Sequence, residues 1–208
     1  MRALIFSETG EPKSVLKLAE IPTPPLAHGE ALVRVLLSPI HPSDLHMVRG
    51  GYGYQPELPA SPGAEGVGSV EAVGPGVQGP IVGTRVVFVR TWNTWCEKIV
   101  CPVDRLVPVP EGLDDPAAAI SYTNPLTAWA LTISSHNLKE GDWLLQTAAA
   151  STVGKLVLQL ARQYRFKTIN VIRRREQATI IRNLGGNEVI CTADEEGTPV
   201  GIDRGQGR

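Results

Sequence analysis

No apolar run in this 208-residue sequence approaches the roughly 20 residues needed to span a bilayer, so a helical membrane protein is excluded. Cysteine is scarce. Cys96, Cys101 and Cys191 are odd in number and form no CxxC pair, so a disulfide framework is not expected and a reducing cytoplasm is the natural setting. The first residues, MRALIFSETG, lack a signal peptide's long apolar stretch and cleavage site and already read as a strand. A mitochondrial location is expected only if an N-terminal transit peptide is missing from the sequence. Excess charge is lacking too: 20 Lys+Arg against 21 Asp+Glu leave a net charge of −1, with no global attraction to nucleic acid or an anionic membrane. No internal repeat is visible.

A hydrophobic content of 42% suits a globular core, and the length allows one large domain or two small ones. Residues 1–110 carry short apolar runs divided by Gly and Pro. Strands are expected at Arg2–Phe6, Leu16–Glu20, Glu30–Ser38, Gly66–Val73, Arg85–Val89, Glu97–Pro102 and Leu106–Pro108, with a helical turn at Asp44–Arg49. Many short strands at close spacing predict a β-barrel or sandwich.

The pattern changes near Glu111. Two helices follow, the first capped by Asp114 or Asp115 with Pro116 in its first turn, the second capped by Asn124 with Pro125 behind it. Then comes DWLLQTAAASTVGKLVLQLARQYRFKTINVIRRR, residues 142–175. Trp143–Gln146 reads as a buried strand, Val153–Arg165 as a helix with one sheltered face, and Thr168–Ile172 as a parallel strand covered on both sides. Glu176–Leu184 is a further helix ended by Gly185-Gly186, and Glu188–Cys191 a third strand. This order builds the 3-2-1 half of a doubly wound sheet. Its first strand becomes an open edge, which points to a truncated product. Residues 194–208, with little apolar content and no periodicity, are expected to be disordered.

Four features bear on chemistry. The turn TAAASTVG, residues 147–154, keeps only Gly154 of a GxGxxG fingerprint, yet its alanines permit close packing and Ser151 and Thr152 can cap the helix and meet a phosphate. An ordinary small-residue turn is the competing reading. Arg173, Arg174 and Arg175 follow the second strand, where an acidic residue would hold the ribose of NAD; arginine there accommodates a 2′-phosphate, so NADPH is expected. A solvated basic loop is the alternative. Tyr52 lies in the glycine-rich GGYGYQPELP, and its hydroxyl can serve a developing enolate or simply be exposed. His41, His46, Glu65, Cys96 and Cys101 lack the compact spacing of zinc ligands, so no metal is expected, and His28 and His136 read as solvated.

Together HPSDLHMVRGGYGYQPELP, GAEGVGSVEAVG, TNPLTAW, the ASTVG turn and TINVIRRR resemble the zinc-free medium-chain dehydrogenase/reductase superfamily, most nearly its mitochondrial-type trans-2-enoyl-thioester reductases. The resemblance runs from Met1 to about Thr192. It implies an α/β chain with a β-rich part: a GroES-like catalytic barrel (1–122), then a partial Rossmann domain (123–193) with a doubly wound parallel sheet, and the cofactor in the cleft between. Tyr52 matches the family's catalytic tyrosine and Asn124 an asparagine on the nicotinamide side. Ala150, Ser151, Thr152 and Val153 match the diphosphate turn, and Arg173 to Arg175 the segment that selects NADPH. Thr152 stands where the family usually has glycine, which tightens the approach to the diphosphate. His41 replaces a cysteine ligand of zinc-dependent relatives, and Gly63-Ala64-Glu65 replaces their Gly-His-Glu.

The function so implied is NADPH-dependent reduction of 2-enoyl thioesters, carried by coenzyme A or acyl carrier protein, in fatty acid synthesis. Two alternatives stand beside it: an NADPH:quinone oxidoreductase of the same superfamily, and a non-catalytic fragment that binds a nucleotide or a partner protein. A homodimer is expected of the full-length family; for this chain it stays open.

Overall fold

The structure, a computed structural model, describes residues 1–192. The tail expected to be disordered, 194–208, lies outside the described residues. The chain divides into two compact units, Met1–Tyr122 and Thr123–Arg208.

In the first unit, β1 (Arg2–Ile5), the short helix α1 (Pro12–Val15) and β2 (Lys17–Glu20) form an antiparallel hairpin. Next come β3 (Glu30–Leu37), α2 (Pro42–Val48), β4 (Val67–Val73), β5 (Arg85–Phe88), β6 (Lys98–Pro102), β7 (Leu106–Pro108) and α3 (Asp115–Ala119). The larger sheet has the order β6-β3-β4-β5-β7, antiparallel throughout. Bridges Ala3↔Cys96 and Phe6↔Ala60 tie the hairpin to this unit. Period-two alternation builds the sheet's core. On β3, Ala31 and Val33 turn inward against Val70, Val86, Phe88 and Ile99, while Arg34 faces outward to Glu71 at 3.4 Å. Asp114 caps α3 by accepting from the Ala117 amide at 2.9 Å, and Ala118 and Ala119 pack on Val67 and Val87.

The second unit opens with α4 (Thr123–Trp129), which widens into a π-helical turn at Ala130–Ser134. Then follow β8 (Trp143–Gln146), α5 (Thr152–Tyr164), β9 (Lys167–Ile172), α6 (Glu176–Asn183) and β10 (Glu188–Cys191). The three strands are parallel in the order β10-β9-β8, the expected 3-2-1 half. Leu158 of α5 and Ile181 of α6 bury themselves with Ala149, Ile172 and Val189. Val157 and Ala161 on α5 pack against Ala128 of α4 and Phe166.

Three local expectations need correction. Asn124 does not precede its helix: α4 begins one residue earlier, at Thr123, which puts Asn124 within the first turn. β9 is not covered evenly. Thr168, Asn170 and Ile172 are buried, whereas the alternating Ile169 and Val171 are only half-buried. Two of the three inward residues are therefore polar, and they are hydrogen-bonded as burial requires. Asn170 Nδ2 donates to Thr168 Oγ1 at 2.9 Å and to the Glu188 carbonyl at 3.0 Å, and Asn170 Oδ1 accepts from Gln146 Nε2 at 2.8 Å. Finally, the strand read as buried, β8, lies at the sheet edge among the described residues; Trp143 and Leu145 are about half exposed, and Lys167 Nζ sits 5.3 Å from the Trp143 ring centre.

Candidate active site

Helix α2 delivers the tyrosine loop. It ends at Val48, Arg49 is held by Glu11 at 2.6 Å, and the chain leaves through Gly50 in the left-handed region, φ +80°. Tyr52 follows, 37% exposed, its carbonyl accepting from Gln55 Nε2 at 2.7 Å. Trp92 reaches this loop from another segment. Its ring stacks on Tyr54 with centroids 4.6 Å apart and 18° between planes, and meets Tyr52 edge-on at 6.2 Å.

The same unit holds a buried polar cluster around Glu65 and Asp44. Glu65 is almost fully enclosed; His41 Nε2 lies 2.8 Å from Glu65 Oε2, and Glu65 Oε1 accepts from the Tyr122 amide at 3.1 Å. The Glu65 carbonyl accepts from Ser38 Oγ at 2.9 Å and Thr94 Oγ1 at 3.0 Å. Asp44 is also buried. Its Oδ2 accepts from the His41 amide at 2.8 Å, while Oδ1 has no partner. Burial raises the Asp44 carboxyl above its ordinary value, and the His41 amide opposes that shift.

The remaining metal-ligand candidates are dispersed. His46 is exposed on α2 and Cys101 is in the sheet core. Cys96 Sγ donates to the carbonyls of Asn93 and Lys98 at 2.9 and 3.0 Å. Burial pushes the Cys96 thiol up to about 11 and that of Cys101 up to about 12. Among the described residues, no group of three or more His, Cys, Asp or Glu side chains could hold a metal ion. His28 is exposed; His136 is not merely solvated, because its Nδ1 donates to the Leu131 carbonyl at 2.7 Å across the π-helical turn.

In the second unit the β8–α5 turn is compact. Ala148 occupies the left-handed region at φ +50°, and the fully buried Ala149 donates its amide to Val171 at 3.2 Å. Ser151 is the α5 N-cap, its Oγ accepting from the Gly154 amide at 3.1 Å. Thr152 and Val153 form the first helical positions, whose amides have no partner within a helix, and such amides with the helix dipole favour an anion. Gly154 is required here: a Cβ would come within 3.0 Å of three backbone atoms of Ala149. Gln146 Nε2 braces the turn from below, donating to the Gly154 carbonyl at 3.3 Å as well as to Asn170.

Arg173, Arg174 and Arg175 are all exposed between β9 and α6, and Arg175 is the N-cap residue of α6. Arg174 Nε lies 3.6 Å from Glu176, and its amide donates to Gln177 Oε1 at 3.2 Å. Three guanidiniums beside a helix N-terminus concentrate positive potential that suits a phosphate. Asn124 is half-buried in α4, in the same unit as the turn.

Nothing in the residue order points to Trp92, because its partners lie some forty residues away. Asn170 and Gln146 read as ordinary strand residues; the polar breaks in TINVI and WLLQ were the available signal.

Comparisons with known proteins bear on the fold and the family. Residues 27–111 match the alcohol dehydrogenase GroES-like domain. The mitochondrial enoyl-[acyl-carrier-protein] reductase of Xenopus tropicalis is 39% identical over 91% of this chain and 55% of its own length. Among solved structures, the quinone oxidoreductase of Escherichia coli complexed with NADPH is 27% identical with a TM-score of 0.85, covering 91% of this chain and 58% of that one. The mitochondrial 2-enoyl thioester reductase heterodimer of Candida tropicalis is 29% identical with a TM-score of 0.80, covering 94% of this chain and 60% of that one. The chain spans about half the length of the curated relatives it matches.

Proposed function

Because this chain belongs to the medium-chain dehydrogenase/reductase superfamily, we propose that it is a 2-enoyl-thioester reductase that uses NADPH. The observation that carries this reading is the 39% identity to an enoyl-[acyl-carrier-protein] reductase over 91% of the chain. We assign residues 1–122 as the catalytic domain and 123–193 as the dinucleotide-binding domain.

The residues present fit the cofactor. The close approach at Gly154 leaves a compact turn, Ser151 and the free amides of Thr152 and Val153 would hold the diphosphate with Ala150, and Arg173, Arg174 and Arg175 would hold the 2′-phosphate. Asn124 would contact the nicotinamide side. Bound NADPH supplies the hydride that reduces the β-carbon of the alkene. As the C–C double bond breaks, negative charge moves to the thioester oxygen. The Tyr52 hydroxyl would donate a hydrogen bond to that enolate oxygen, and a proton from solvent water would then add at the α-carbon, leaving hydroxide to the buffer and giving the saturated thioester.

The test is reduction of crotonyl-thioester, followed by loss of NADPH absorbance. Turnover is expected in the unmodified chain, with kcat reduced about 10²-fold in Tyr52→Phe. Unchanged turnover in that variant rejects the role of Tyr52. A second reading, NADPH:quinone oxidoreductase, is favoured by the TM-score of 0.85 to the Escherichia coli enzyme. A panel of quinones and enoyl thioesters separates the two. A third reading is a protein that binds the nucleotide but does not catalyse. It predicts NADPH binding by calorimetry without turnover of either class.

Among the described residues no helix is long and apolar enough to cross a membrane. We propose a cytoplasmic location. The relatives are named as mitochondrial, so organelle import of a tagged chain would overturn it. The proposed partner is the enoyl thioester itself, on coenzyme A or acyl carrier protein. A homodimer of this chain is the assembly to test by light scattering.

A further inference from the structure

We infer that Trp92 is a positioning residue for Tyr52: its indole braces the glycine-rich loop and fixes where the phenol hydroxyl is presented. The inference rests on the role of Tyr52 proposed above.

The Gly50 and Gly51 amides tie the start of the tyrosine loop to the end of α2, donating to the carbonyls of Met47 at 2.9 Å and His46 at 3.0 Å; beyond them the loop has little local order. Gly50, Gly51 and Gly53 surround Tyr52, and a Cβ built on Gly53 meets nothing within 4 Å. Glycine backbone loses the most conformational freedom when fixed, so such a loop needs contacts from outside to hold one geometry. The Gln55 bond to the Tyr52 carbonyl is internal to the loop. Trp92 supplies the external contacts, parallel to Tyr54 and edge-on to Tyr52.

The platform beneath Trp92 is firmly tied. Thr91 is buried and donates to the Val89 carbonyl at 3.0 Å. Thr94 is fully buried, with its hydroxyl 2.8 Å from Ser38 Oγ and donating to the Glu65 carbonyl. Trp95 anchors the next position through its amide to Pro62 at 3.0 Å and its Nε1 to Pro39 at 3.1 Å. Between these anchors, Arg90 and Asn93 occupy the left-handed region at φ 51° and 72°. Non-glycine residues persist there when surrounding bonds over-determine the backbone, and such strain collects at functional sites. The result is a segment held from both sides that projects one large ring onto the glycine-rich loop bearing Tyr52. The buried His41–Glu65 pair stands behind that segment, through Thr94.

The experiment measures two things on the full chain. First, kcat and KM for crotonyl-thioester are compared in Trp92→Ala, Trp92→Phe, Tyr52→Phe and the Tyr52→Phe/Trp92→Ala double variant. Trp92→Ala is expected to lower kcat about tenfold to 10²-fold with little change in KM, because a misplaced group loses orientation rather than ground-state binding. Trp92→Phe, which keeps an aromatic face, restores most of it. In the Tyr52→Phe background Trp92→Ala costs nothing further. Second, ¹⁹F spectra of protein labelled with fluorotyrosine report on all four tyrosines. The Tyr52 and Tyr54 resonances, assigned by single Tyr→Phe variants, are expected to shift and sharpen in Trp92→Ala as the indole ring current and the brace are lost. Those of Tyr122 and Tyr164 stay in place and report an intact fold.

If the unmodified chain fails to turn over enoyl thioesters, the role proposed for Tyr52 fails, and the fluorine spectra alone judge the brace. An unmoved Tyr52 resonance in Trp92→Ala overturns the inference. So does a loss of kcat that multiplies independently with that of Tyr52→Phe.

Discussion

Replacing Gly154 by alanine pits two effects of opposite sign. In a helix, glycine ordinarily costs roughly 0.5–1 kcal/mol relative to alanine, so the substitution should stabilise α5 on propensity alone. The tertiary setting reverses this. The added Cβ comes within 3.0 Å of the carbonyl oxygen, carbonyl carbon and Cα of Ala149. These are backbone atoms, so no side chain can swing aside. Ala149 is itself fully buried and tied to β9 through its amide on the Val171 carbonyl. Overpacking of this kind costs about 1–3 kcal/mol. Setting the clash against the propensity gain leaves a net loss of about 1–2 kcal/mol. The turn at Ala148–Ser151 must move to relieve the contact, so affinity for NADPH should fall with stability. Urea unfolding followed by circular dichroism reads the first effect and calorimetric titration the second. Gly79→Ala is the control, since a Cβ there meets nothing within 4 Å and no unfavourable φ stands against it. If Gly154→Ala proves as stable as the parent protein, the close-approach reasoning is wrong.

Arg174→Asp should weaken NADPH binding by about 1.5 kcal/mol, near tenfold, with a much smaller effect on NADH; exposure of this guanidinium places the loss at the lower end for a charge-assisted bond. Equal losses for the two cofactors would refute the 2′-phosphate assignment. Cys101, with its thiol pushed up to about 12, should stay unlabelled by iodoacetamide at mildly alkaline pH until the protein is unfolded, and Cys96, at about 11, should react far more slowly than a free cysteine. Fast alkylation of native protein, mapped by mass spectrometry, would count against that burial. The folded state holds the Asp44 proton more tightly than the unfolded chain does, so the stability it contributes is complete below the ordinary value of 3.8 and is lost as pH rises through the folded value. Asp44→Asn has no such proton to lose and should gain stability relative to the parent protein across that window; a flat or falling difference in urea titrations at stepped pH would contradict the cause assigned.

Much of the local architecture was legible. Val33 and Arg34 on β3 face opposite sides because side chains alternate along a strand, which a single run of sequence displays. Helix α5 carries its buried Val157, Leu158 and Ala161 at helical spacing, and Ser151 stands where a cap belongs. β9 was harder. TINVI looks uniformly apolar apart from two residues, yet those two are turned inward together with Ile172, because Gln146, Glu188 and Thr168 offer Asn170 its hydrogen bonds only after three strands have assembled. Asn124 shifted by one position because helix ends tolerate such slippage.

From its residue order alone this chain specified its strands and most of its helices, though neither α1 nor the π-helical turn, the succession of a β-rich unit and a parallel βαβ unit, and the positions of Tyr52, the small-residue turn and the arginine run. These rest on short-range periodicity and on the backbone preferences of Gly, Pro and Ser. Assembly decided which partners those residues received: Trp92 against Tyr52 and Tyr54, His41 against Glu65, Ala149 against Gly154. Such pairs join segments separated by as many as forty residues or as few as five. What creates them is the three-dimensional path of the chain, since burial and contact geometry arise only when distant surfaces close on one another.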